Sequence, residues 1–181
     1  MNHKREELKR IIQIAGCALE REDKLLRNIV KENDRAYPKN KSGILRFKNE
    51  RFYQYTVAKG LMEFYEYAIE LERKDNYDLI ATDLDNSNKL IVEMKKWMSS
   101  EGSSEIPFIK KDIEKLKNAE AELKILMIFS ANPKDKTEEN LEWFLEEVIN
   151  KKQDSYDYYI FPTIDPKGDS VDFWVGGFVF S

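Results

Sequence analysis

Asp78, Glu93 and Lys95 are the residues of this chain whose types and spacing could do chemistry together. They stand in Tyr77-Asp78-Leu79-Ile80-Ala81-Thr82-Asp83-Leu84 and in Lys89-Leu90-Ile91-Val92-Glu93-Met94-Lys95-Lys96-Trp97. Two carboxylates can anchor Mg²⁺, which polarises a phosphate and lowers the pKa of a bound water. A neighbouring ammonium can orient that water or stabilise charge building on the transition state. Phosphodiester hydrolysis asks for no histidine. The competing reading is a buried ion pair, with Lys95 bridging Asp78 and Glu93 to hold the strand register.

Both stretches are apolar and rich in β-branched residues, and they flank the turn formers Asp85-Asn86-Ser87-Asn88, so the pair reads as a β-hairpin. Side chains alternate along a strand. Ile91, Glu93, Lys95 and Trp97 therefore share one side, and Leu90, Val92 and Met94 the other. A four-residue turn sets Leu84 against Lys89 and Asp78 against Lys95, with Glu93 diagonal to Asp78. A bulge would shift that register by one.

An Asp opening one strand, a turn, then Glu-x-Lys on the next strand resembles the signature of the PD-(D/E)XK nuclease superfamily. The resemblance covers roughly Phe47 to Asn132 in order of elements. It implies a restriction-endonuclease-like core: an α/β fold with a central mixed sheet flanked by helices. It implies a metal-dependent phosphodiesterase, a DNA endonuclease, with Mg or Mn as cofactor. Asp78 and Glu93 become metal ligands, and Lys95 the catalytic base-orienter or charge stabiliser. An acidic residue on the preceding helix often helps hold the metal in that superfamily, and Glu50 matches by order and face. Its bland alternative is a salt bridge to Arg46 or Arg51. The tripeptide itself is common here, beginning also at Glu7, Glu22, Glu72 and Glu122. Only at Glu93 does it lie in a hydrophobic strand downstream of an Asp.

The elements that must position these residues follow from periodicity. Residues 5–34 read as helix, with Glu20 to Asp23 a place to bend it in two, followed by a basic loop from Tyr37 to Gly43. Residues 1–45 form a helical extension and residues 46–181 the nuclease-like domain. A second helix spans 46–64, with Phe52, Tyr55 and Met62 beside its apolar face, and a strand runs from Phe64 to Glu72. Ser99 to Glu105 reads as a flexible polar link. A helix opening at Ile106-Pro107 turns Phe108, Ile109, Ile113 and Leu116 inward and Lys110, Lys111, Lys115 and Lys117 largely outward. Leu123–Ser130 is a doubly covered strand, parallel to the Glu93 strand through a crossover. Thr137 caps a last helix, and two β segments, Tyr156–Ile164 and Val171–Phe180, close the chain.

Composition narrows the classes. The chain has 181 residues, 35% of them charged and 41% hydrophobic, which fits a globular domain in the cytoplasm with no membrane span. The single cysteine, Cys17, excludes an internal disulfide. The single histidine, His3, argues against histidine triads and histidine-based zinc sites, so any metal takes oxygen ligands. The net charge is −4, but between Arg35 and Lys59 seven basic residues meet only Glu50. Lys39, Lys41, Arg46, Lys48 and Arg51 are the candidate nucleic-acid contacts, with DNA placed ahead of RNA. A homodimer or a protein partner stays open. The alternatives to a nuclease are an inactive nuclease-fold module binding nucleic acid or protein, and an acidic immunity-type interaction protein.

Overall fold

A computed structural model of the chain describes residues 2–33, 42–47, 49–71, 77–83, 87–98, 102–149 and 156–180. Helix α1 (Asn2–Glu32) runs unbroken through Glu20–Asp23. The charges that suggested a bend are paired instead: Lys24 with Glu20 at 2.6 Å and Arg27 with Asp23 at 3.6 Å along the helix, and Arg21 with Glu63 off it at 2.7 Å. Asp23 is buried and accepts hydrogen bonds from the Ile44 amide (2.8 Å) and the Thr163 hydroxyl (2.6 Å). It thereby ties α1 to a 3-10 turn at Ile44–Arg46 and to the far end of the sheet. Helix α2 (Glu50–Phe64) starts later than periodicity predicts, because the Asn49 side chain caps it by accepting from the Arg51 amide.

Strands β1 (Ala68–Leu71), β2 (Leu79–Thr82) and β3 (Asn88–Lys96) form an antiparallel meander. Helix α3 (Gly102–Lys117) then crosses over to β4 (Leu123–Pro133), which lies parallel to β3. Helix α4 (Thr137–Phe144) continues into one wider helical turn, Leu145–Ile149. Strands β5 (Tyr156–Ile164) and β6 (Ser170–Phe180) finish a six-stranded mixed sheet in the order β1-β2-β3-β4-β6-β5. The α/β class with a mixed sheet between helices is therefore as expected. Among the described residues no helix is long and apolar enough to cross a membrane.

Period-two burial splits the core in two. Leu90, Val92, Met94, Met127, Phe129 and Phe173 point toward α1 and α2. Ile91, Trp97, Leu126, Ile128, Trp174 and Phe178 point toward α3 and α4. β4 contributes to both faces, as its near-continuous apolar run requires. The Gly176-Gly177 pair marks a close approach and not a bulge, since the β4–β6 register passes through it unshifted. A methyl group on Gly177 would come within 2.4 Å of Ile12.

Several local expectations need correction. Strand β1 begins only at Ala68, because α2 takes in Phe64. Tyr55 and Met62 on α2 are exposed, and so is Phe108 on α3, since the sheet covers only one stripe of each helix. Gly102–Glu105 is the first turn of α3 and not a loose link. Thr137 lies inside α4, its hydroxyl donating to the Pro133 carbonyl at 3.3 Å. Part of the predicted β2–β3 turn (Asp85, Asn86), Ser99–Glu101 and most of the basic loop lie outside the described residues.

Candidate active site

The site grows from the place where β3 outruns β2. The first paired residue of β2, Leu79, stands opposite Val92, so the remaining amides on that edge of β3 have no strand to bond. Carboxylates take them in turn. Asp78 accepts from the Met94 amide at 2.7 Å, Glu50 from Lys96 at 2.8 Å, and Glu105 from Met98 at 3.3 Å. The alternate amide, that of Trp97, bonds to Phe129 on the other side. Three acids from three elements thus extend the ladder.

The register differs from the predicted one by two residues. Continuing the Leu79–Val92 and Ile80–Ile91 pairs sets Asp78 across from Glu93, not across from Lys95. The cause is an irregularity at Ala81/Thr82 together with a longer connection than four residues. A shift of two preserves sidedness. Glu93 and Lys95 remain on the α3 face, and the acidic and basic groups still converge.

Glu93 is almost fully buried, at 2% exposure. Lys115 of α3 meets its Oε1 at 2.5 Å and also rests over the Tyr77 ring, 4.5 Å from its centre. Lys95 lies 3.4 Å from both Glu50 and Asp112. Burial drives the Glu93 pKa from near 4.5 up to about 8; Asp78 and Asp112 push the same way and Lys115 only partly offsets them. Burial also raises Asp112, with Lys95 pulling it back. For Lys95, burial opposes the charge, but Glu50, Asp112 and Asp78 together raise its pKa above the lysine norm.

The structure therefore brings together Asp78, Glu93, Lys95 and Glu50, and adds two residues that sequence reasoning missed, Asp112 and Lys115. Lys115 had been assigned to the outer face of its helix. The signal lay in the helical spacing: Asp112 falls between Ile109 and Leu116 on the apolar stripe, where an unpaired acid is costly. Of the basic residues, Lys39, Lys41 and Lys48 lie outside the described residues. Arg46 is half-buried, with its guanidinium donating to the Ser42 carbonyl at 3.4 Å. Arg51 is exposed beside Glu50 at the start of α2.

Among the described residues, no three Asp, Glu, His or Cys side chains stand grouped as a ready-made metal cage. The donor chemistry nevertheless suits a hard divalent cation. Four carboxylates face two ammonium groups, a formal charge of −2 when all are ionised. Glu93 Oε1 and Asp112 Oδ2 are buried, and each has a lysine ammonium as its close polar contact, Lys115 at 2.5 Å and Lys95 at 3.4 Å. No family model matches the chain, and no curated protein or solved structure matches it either.

Proposed function

We propose that this protein is a Mg²⁺- or Mn²⁺-dependent phosphodiesterase of the PD-(D/E)XK type that cuts nucleic acid, DNA before RNA. The observation that carries the reading is the convergence of Asp78, Glu93 and Lys95 at one end of the sheet, with Glu50 reaching in from the preceding helix. The chain order supports it: an acid-bearing helix, an antiparallel meander, a crossover helix, then a buried parallel strand.

Asp78 and Glu93 would hold the cation, which when bound polarises the phosphate and makes a water more acidic, while Glu50 stays on the Lys96 amide and Lys95. The chain's own residues do the rest. Lys95, half-buried and held charged by three acids, supplies fixed positive charge for the phosphate oxygens. Lys115, against Glu93 Oε1 and over the Tyr77 ring, favours the ionised form of Glu93 that a cation needs, against the pull of burial. Asp112 and Glu50 both pair with Lys95, so the ammonium is restrained by two carboxylates.

One observation favours a second reading. Lysines already stand at Glu93 and Glu50, as they would in an inactive nuclease-fold module that keeps the network for structure. Incubating purified protein with plasmid and oligonucleotide substrates plus Mg²⁺ or Mn²⁺ decides between them. Cleavage abolished by EDTA and by Asp78→Asn supports the enzyme. Absence of metal binding and of any cleavage supports the module.

A further inference from the structure

We infer that Trp143 is a stacking platform for one unpaired base, so that the nucleic acid taken by this site is single-stranded where it crosses the rim. The inference rests on the phosphodiesterase reading for its substrate class, but its evidence lies apart from the acidic cluster.

Trp97 follows Lys95 on the same face of β3, two residues or roughly 7 Å farther along. Its indole is 2% exposed, wedged against Phe144 and Trp174 with ring centres 4.9 and 6.1 Å away. The Trp143 ring lies on top of it, nearly parallel, 9° between planes and 5.9 Å between centres. Yet Trp143 is 43% exposed. A large aromatic is thus fixed from below and open beside the charged site.

The mounting is rigid. Three residues before Trp143, Asn140 donates to the Asn132 side chain at 2.9 Å, and Asn132 donates to Ser130 at 3.3 Å. Ser130 and Asn132 are both buried. This polar chain pins the start of α4 to the end of β4 and sets the direction of Trp143 one turn on. A ring already held in place loses little freedom when a ligand stacks on it.

A base inside a duplex has both faces covered by its neighbours, and only an unpaired or extruded base can lie on an indole. Scattered surface aromatics are ordinary. A half-open tryptophan backed by a buried one, two strand positions beyond the ion-paired Lys95, is a different arrangement.

The test measures binding in EDTA, where nothing is cut, of a labelled single-stranded oligonucleotide and of its blunt duplex. Loss of one base–aromatic stack corresponds to about 5- to 150-fold weaker binding. Trp143→Ala should weaken single-strand binding within that range and change duplex binding less than about twofold, whereas Trp143→Phe should keep most of the affinity. One abasic nucleotide placed in turn along the strand should weaken the wild type at a single position and make no further difference in Trp143→Ala. If Trp143→Ala melts early, Trp143→Leu fills the same space without a π face and takes its place. An abasic penalty that persists in the variant overturns the platform, as does equal loss for strand and duplex, or a wild type that does not bind single strands. Trp143-dependent binding without metal-dependent cutting removes the enzyme reading alone. Duplex cutting indifferent to Trp143 removes the platform alone.

Discussion

Glu93 is a carboxyl group pulled two ways, toward ionisation by Lys115 and toward neutrality by burial and by Asp78 and Asp112. Burial and the neighbouring acids prevail. In the folded chain Glu93 holds its proton up to about pH 8, whereas the unfolded chain releases it near 4.5. Across that window the native state binds the extra proton, so stability falls as pH rises and levels off above pH 8. Asp112 adds to the slope with the same sign. Glu93→Gln should therefore flatten, without abolishing, the decline of melting temperature between about pH 5 and pH 8. A second expectation concerns charge. At pH 7.5, millimolar Mg²⁺ or Mn²⁺ should raise the melting temperature of the wild type and not of Glu93→Gln or Asp78→Asn, because only a binder of the native state stabilises it. Lys95→Ala should still bind the cation yet lose about 2–4 kcal/mol of transition-state stabilisation, read as kcat/KM on a nucleic-acid substrate.

At the scale of elements, the acids along the open edge of β3 do structural work whatever the chemistry. Removing one leaves a partly buried strand amide without its carboxylate acceptor, which costs up to about 1–3 kcal/mol. Glu50→Ala should lose that amount in chemical denaturation and speed hydrogen exchange at the Lys96 amide. Glu50→Gln, which keeps an acceptor, should lose less. The sidedness of β3 was legible in the sequence because alternation is local: Glu93 and Lys95 had to face opposite Val92 and Met94. Its register was not, because an irregularity at Ala81/Thr82 and the length of the connection decide it, and the residues themselves mark neither. Lys115 was misassigned for a related reason. A lysine on an amphipathic helix reads as solvated, and only the packing of α3 on the sheet turns it toward Glu93. The same holds for Tyr55, Met62 and Phe108, whose apolar character suggested burial that the sheet does not extend to.

At the scale of the whole molecule, the core on the α1 and α2 side of the sheet joins the first helix to the last strand. Leu8, Ile11, Ile12, Ala15 and Leu19 are buried against the sheet, and Gly177 admits Ile12 only because it has no side chain. Gly16 plays the same part toward the Tyr159 ring, 2.3 Å from where a methyl group would stand. Gly177→Ala should cost about 1–3 kcal/mol by overpacking, seen as a lower denaturation midpoint with unchanged slope. Removing residues 2–33 strips one face of β5 and β6 and should leave a chain without a cooperative melt.

That packing has a consequence for the order in which the protein is made. A ribosome delivers α1 first and β6 last, at about 5–20 residues per second. α1 can pack on α2 as soon as both have emerged, but the part of its apolar stripe that rests on β5 and β6 waits until those strands have been translated. The meander of β1, β2 and β3 can assemble from neighbouring residues meanwhile, but only β5 and β6 complete the face on which Leu8 and Ile12 rest. Nascent chains stalled before Val171 should leave the β6-facing part of α1, around Leu8 and Ile12, uncovered and bind holdase chaperones. Chains extended far enough for Phe180 to clear the exit tunnel should release them.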